Sequence, residues 1–190
     1  MAKELGIETE VFKPEAMSEK IGVPGMKAAG GVYYPGDAHM SPDTFLPALR
    51  KYLGSLGVEM IYNAPITSMQ VSSHSVTLGS MGKEWTADEV VLAAGTWTGY
   101  MAQELLNTKL PLVGGQGMHF MVKNPNLNLT VPSILVASRI AITPMDQGVR
   151  FGGTMELGLT QPRVNENKLR RMIKSVQDYM PNAGVGSDVG

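Results

Sequence analysis

The chain has 190 residues, with 16 lysines and arginines against 17 acidic residues, a formal net charge of -1, and no cysteine. So even a balance gives no electrostatic case for nucleic acid or an anionic membrane surface, and the lack of cysteine excludes disulfides, thiolate nucleophiles, iron–sulfur clusters and cysteine-based zinc sites. Hydrophobic residues make up 43% and aromatics only 6%, enough for a core but not for an aromatic-rich all-β module, and 22 glycines with 12 prolines imply many turns.

In chain order, Met1–Lys20 reads as a short helix or strand and then a second short helix, with Pro14 as first-turn proline for Glu15–Ile21. The glycine-rich passage Gly22–Gly31 suits no regular element, and Val32–Tyr34 reads as a strand stopped by Pro35-Gly36. Ser41-Pro42 reads as an N-cap and first helical proline, followed by Leu46, Leu49, Leu53 and Leu56 at helical spacing and Gly57 as the stop. Pro47 is awkward inside that helix, so the helix is expected to start near Thr44 or to bend in its first turn.

Val58–Tyr62 reads as a strand, and Ile66–Val71, Ser75–Leu78 and Lys83–Thr86 as a small meander. The unbroken apolar run Val90–Gly95 predicts a buried parallel strand, in which Val91 and Ala93 are nearly inaccessible and pack on the Leu46–Leu49–Leu53 stripe or the opposite sheet face. A helix follows over about Gly99–Leu106. Strands are expected at Gln116–Val122, Ile134–Thr143 and Val149–Met155, the last two joined by a five-residue turn at Pro144–Gly148. Leu169, Met172, Ile173, Val176, Tyr179 and Met180 trace a helix capped near Asn165, whose apolar face should dock on these strands. Asn182–Gly190 is expected to be a disordered tail.

No run is long and apolar enough to span a bilayer, and the N-terminus has no apolar signal-peptide core, so a soluble cytoplasmic protein is expected. No G-x-G-x-x-G opens a helix, and Gly114-Gly115-Gln116-Gly117 lacks the lysine and serine of a phosphate loop. No G-x-S-x-G elbow exists. His39, His74 and His119 lack metal-ligand spacing, so no metal site is expected. His39 lies in a loop feeding a helix start, where ligands often bind. The basic run Lys168, Arg170, Arg171 and Lys174 reads as a solvated helix face. The strand ending at Ala94-Gly95-Thr96 would let a backbone or a flat cofactor edge come close, although such strands are common in α/β proteins.

Several segments are similar to one family. Gly31–Pro42 (GVYYPGDAHMSP) resembles the loop and cap before a helix in FAD-dependent amino-acid oxidoreductases, the group of D-amino acid oxidase, glycine and sarcosine oxidases and bacterial D-amino acid dehydrogenase. Trp85–Thr98 (WTADEVVLAAGTWT) resembles the second flavin-side strand, and Leu110–Gly117 (LPLVGGQG) the crossing into the substrate domain. Arg139–Pro144 and Arg150–Glu156 are closest to the dehydrogenase branch, and it is the serial agreement through Pro181, in family order, that carries the likeness.

The resemblance implies an α/β (mixed α+β) fold: a partial FAD-binding domain of the glutathione-reductase-like type joined to a β-rich substrate domain with packed helices. Its layout is 1–40 as substrate-domain part and linker, 41–107 as the partial FAD-binding domain, 108–181 as substrate domain and 182–190 as tail. It implies oxidation of an amino acid's Cα–N bond, with hydride passing to FAD and the imino acid hydrolysed to a 2-oxo acid and ammonia. The dehydrogenase-like reading on D-amino acids leads; glycine or sarcosine oxidase-like chemistry and a non-catalytic α/β scaffold are the alternatives. FAD-side residues would be Ile66, Ala94, Gly95, Thr96 and Trp97, and substrate- or flavin-side residues His39, Gln116 and Arg139; no catalytic residue is singled out. The family's opening G-x-G-x-x-G unit and closing glycine-rich segment are not in this sequence, so the chain resembles an internal piece and is expected to bind no FAD by itself. The partner implied is a small amino acid or amine, without nucleic acid; a weak homo-oligomer, and a parent peripheral at the inner membrane, stay open.

Overall fold

The computed structural model describes residues 3–123, 127–158 and 163–185. The chain forms two compact units, the first of Met1–Phe45, Gln116–Glu156 and Gln161–Gly190, the second of Leu46–Gly115 and Leu157–Thr160. It is an α/β mixed fold with separate helical and sheet regions.

In the first unit, Pro14 opens helix α1 (Pro14–Ile21) at the position where its missing N–H costs nothing. Gly22 closes it with φ 74°, its N–H donating to the Glu19 carbonyl and that of Val23 to Ser18. A Cβ on Gly22 would lie 1.9 Å from the Asn128 carbonyl oxygen, so this turn requires glycine on two grounds. Strands β1 (Glu10–Phe12) and β2 (Gly31–Tyr33) pair antiparallel, and the Lys20 ammonium sits 4.2 Å from the Tyr33 ring centroid.

Strands β3 (Ser68–Val71), β4 (Val76–Ser80) and β5 (Lys83–Ala87) belong to the second unit, and later in the chain a four-stranded sheet forms from β6 (Gly115–Val122), β7 (Ser133–Leu135), β8 (Ile140–Met145) and β9 (Gly148–Leu157), in the order β6-β9-β8-β7. Ile142 faces Phe151 in the antiparallel β8–β9 ladder, and both are wholly buried. Phe120 stacks on Phe151 with centroids 4.9 Å apart. The predicted strand Ile134–Thr143 is two strands, broken at Val136–Arg139 by a turn in which Arg139 has φ 54°. The turn expected over Pro144–Gly148 is shorter, because Pro144 pairs with Val149 and Met145 with Gly148. Pro144 lies beyond the last β8 residue that β7 reaches, where its missing N–H is tolerated.

Helix α4 (Glu166–Tyr179) is capped by Asn165, whose side-chain oxygen accepts from the Lys168 N–H at 3.2 Å. Its Met172 and Val176, with the C-cap Met180, enter the same core as Phe120, Ile142 and Phe151. Gly153 of β9 lets it approach, since a Cβ there would lie 2.7 Å from the Met172 sulfur. The Ser138 and Ser175 hydroxyls, 2.6 Å apart, tie the β7–β8 turn to the helix. The chain after α4 stays in the core for longer than expected: Ala183 and Val185 are buried, and Gln177 Nε2 donates to the Val185 carbonyl at 2.7 Å. The rest of the expected tail, 186–190, lies outside the described residues.

The second unit carries the meander β3 (Ser68–Val71), β4 (Val76–Ser80) and β5 (Lys83–Ala87), antiparallel throughout. Met81 and Gly82, at φ 49° and 77°, make the two-residue turn between β4 and β5. Helix α3 (Thr98–Leu106) contacts β3 and ends at Asn107 in the left-handed region. Helix α2 (Pro42–Ser55) crosses from the first unit into the second. It starts at Pro42, not Thr44, and keeps Pro47 in its interior.

Two predicted strands of this unit are absent. Val58–Tyr62 is irregular, and Val58, Ile61 and Tyr62 are exposed. Residues 90–94 join none of the three described sheets; Val91 is 87% exposed and Ala93 is exposed. Apolar sequence alone does not make a strand: a ladder needs a neighbour, and a parallel strand needs cover on both faces. No residue of α2 is buried, so the Leu46–Leu49–Leu53 stripe does not receive Val91 as predicted.

Candidate functional site

In the second unit, Ala94 leads into a single tight turn, Gly95–Trp97, closed by the Trp97 N–H donating to the Ala94 carbonyl at 3.1 Å, and α3 begins at the next residue. Gly95 sits at φ 58°, and nothing lies within 4 Å of where its Cβ would be. Its glycine therefore answers a backbone requirement, and among the described residues no close approach uses it. Thr96 lies under Gly114, 3.5 Å from a Cβ built there, and Trp97 is 70% exposed. Ile66 is half-buried in the segment entering β3, next to Thr67, whose N–H donates to Gly79 at 2.9 Å.

In the first unit, His39 is exposed in the loop that follows the Tyr34–Asp37 turn. Arg139 is exposed in the β7–β8 turn. Gln116, at the start of β6, is committed to structure: its Nε2 donates to the Arg163 carbonyl at 2.8 Å, and the Arg163 N–H donates to its Oε1 at 3.1 Å. His39, Gln116 and Arg139 thus occupy three separate segments. Among the described residues no group of three or more His, Asp or Glu side chains could hold a metal ion.

Missed in the sequence is a hollow of about 330 Å³ at the start of α4, lined by Arg163, Val164, Asn165, Glu166 and Asn167. The Asn165 cap is its only sequence signal. Beside it the Lys168 ammonium donates to Glu156, whose side chain is 15% exposed. That hydrogen bond holds the Glu156 carboxyl below its ordinary value of 4.5; burial opposes the shift, and the charges of Lys168 and Arg163 reinforce it. A lowered carboxyl stabilises the fold above its unfolded value, and the gain is lost as pH falls through the lowered one. Glu156→Gln should therefore melt below the parent near pH 7, with the two midpoints converging as pH falls through the lowered value. A gap that stays constant over that range would show the pair contributes nothing through charge.

The model of the family described as FAD dependent oxidoreductase, DAO, matches residues 1–189. The chain belongs to the FAD-dependent oxidoreductase (DAO) family. It is 24% identical over 186 residues to a D-amino acid dehydrogenase of Vibrio atlanticus, covering 95% of this chain and 45% of that protein. To a D-amino acid dehydrogenase of Rhodopseudomonas palustris it is 27% identical over 152 residues, covering 78% of the chain and 35% of the relative. The chain thus spans less than half the length of these curated relatives. In fold it is similar to glycine oxidase from Geobacillus kaustophilus, with TM-score 0.76 and 19% identity over 99% of this chain and 51% of that one. L-proline dehydrogenase from P. horikoshii is similar too, with TM-score 0.77 and 14% identity over 94% of this chain and 50% of that one.

FAD would need backbone N–H groups for its diphosphate, which a helix start supplies when no carboxylate competes. Among the described residues, three of the four α-helices carry an acid in the first turn: Glu15, Asp43 and Glu166. Helix α3 carries none, but it follows no glycine-rich phosphate loop. The residues described here do not by themselves fit a whole FAD.

Proposed function

We propose that this chain forms part of an FAD-dependent oxidoreductase that oxidatively deaminates D-amino acids. Residues 41–107 would belong to its flavin-side domain, of the glutathione-reductase-like type, and 1–40 and 108–181 to its substrate-side domain. Ile66 and Ala94–Trp97 would then face the cofactor, and His39 and Arg139 the substrate or flavin side. Gln116, set in the same group by its sequence, acts through the backbone of Arg163, so its part is to position that segment.

The observation that carries this reading is the match to D-amino acid dehydrogenases along nearly the whole chain. General flavin-dependent chemistry on amino-acid or amine substrates follows from the family itself. No described helix is long and apolar enough to cross a membrane. The test is dye reduction by the product of the gene that encodes this chain, with any coding sequence that flanks it, supplied with FAD. D-Alanine and other D-amino acids should reduce the dye and release ammonia and 2-oxo acid in equal amounts. Reduction by glycine or sarcosine, with D-amino acids silent, would overturn the assignment.

A further inference from the structure

The four-stranded sheet of the first unit has one covered face, where Leu135, Ile142 and Phe151 share a core with α4. Its other face carries a row set by cross-strand pairing: Ile134 on β7 faces Ala141 on β8, which in turn faces Gly152 on β9. Side chains shrink along that row, from a branched aliphatic that is 69% exposed, to an exposed methyl, to none. Arg150 lies two residues before Gly152, on the same face of β9. Its guanidinium Nη1 sits 3.8 Å from where a Cβ of Gly152 would be, so it occupies the empty end of the row. Among the described residues nothing pairs with it. The row thus runs from a free planar cation, across a methyl-sized floor, to an apolar wall.

We propose that this row seats an aliphatic carboxylate and selects D-amino acids with a branched or long apolar side chain over D-alanine and glycine. Neighbouring strands lie about 4.8 Å apart, so Gly152 to Ile134 spans about 10 Å. A carboxylate held by both arms of the Arg150 guanidinium leaves the rest of that span to an apolar chain of about four carbons. The small Ala141 gives this chain its floor, and its end reaches Ile134. Glycine and D-alanine are too short to touch Ile134, so they gain the charge contact without the burial. Arg139 is the competing guanidinium, but it stands in the β7–β8 turn, off the row. That the ligand is an amino acid rests on the function proposed above; the fit to an aliphatic carboxylate rests on the row alone.

The test uses the FAD-supplied gene product of the preceding section, and its first arm reads binding without turnover. Calorimetry follows 4-methylpentanoate, the carbon skeleton of leucine without its amino group, which should bind with a dissociation constant of about 1 mM or tighter. Arg150→Met should weaken it by about 30-fold or more and leave 4-methylpentanamide unchanged, because only the carboxylate uses the guanidinium. Both Arg150 and Ala141 are exposed, so neither substitution disturbs the core. In the second arm, kcat/KM for D-leucine should exceed that for D-alanine by about 10-fold, and Ala141→Leu should abolish that preference by filling the floor. No binding of 4-methylpentanoate, equal binding by Arg150→Met, or a loss produced by Arg139→Met in its place would each overturn the seat. A preference for D-leucine that survives Ala141→Leu would overturn the selectivity. If D-amino acids are silent while 4-methylpentanoate binding still depends on Arg150, the proposed function fails and the carboxylate seat stands.

Discussion

Val176→Asp is expected to remove about 4 kcal/mol or more of the first unit's stability, a large part of the whole. Val176 is fully buried between Met172 and Met180, on the face of α4 that enters the core with Phe120 and Phe151. An aspartate there loses the packing of the valine and leaves a carboxylate among apolar groups without a partner. Together these cost about 4 kcal/mol or more, against a total stability of about 5–15 kcal/mol for an ordinary domain. Ile173→Asp is the control. Ile173 itself is only half-buried, so the new carboxylate can reach water and the loss should be about 1–2 kcal/mol. Thermal melts followed by circular dichroism and core-amide exchange decide between them. Equal, small losses for both variants would mean that α4 is not docked on the sheet.

What the sequence made legible is what local pattern determines. The α4 stripe, its Asn165 cap, the proline start of α1 and the β3–β5 meander all rest on spacings of a few residues, and each is present. The misses have one physical origin, since pairing is non-local. Val58–Tyr62 and Val90–Gly95 have the composition of strands, but composition cannot report whether a neighbour is there to accept their hydrogen bonds. Ile134–Thr143 reads as one strand because nothing in its residue types announces that Arg139 takes a left-handed conformation. The site was harder still. Gln116 has the chemistry of a ligand-binding amide, but the groups that occupy it are on Arg163, forty-seven positions away. Gly95 was legible as a special backbone position, and its φ of 58° agrees, whereas what approaches it depends on atoms outside the local sequence.

The purified 190-residue chain is expected to be colourless and to leave the fluorescence of added FAD at its free value, with a dissociation constant weaker than about 100 μM. The flat parts of FAD would find apolar surface here, at Trp97 and along 90–94. The diphosphate is the obstacle. Its charges need several N–H donors held together, as at a helix start preceded by a glycine-rich loop. Among the described residues, Glu15, Asp43 and Glu166 place negative charge at three of the four α-helix starts, and the fourth, at Thr98, follows Trp97 with no side-chain cap and no glycine cradle. Dispersion on an open indole recovers about 1–3 kcal/mol per stacked ring, well short of the roughly 8 kcal/mol that micromolar binding requires. A titration of FAD fluorescence against the chain at micromolar protein measures this directly, and an artificial electron acceptor with D-alanine checks turnover in the same sample. A yellow protein with a shifted flavin spectrum would mean that the chain assembles a diphosphate site from groups other than its helix starts, and would place FAD within these residues alone.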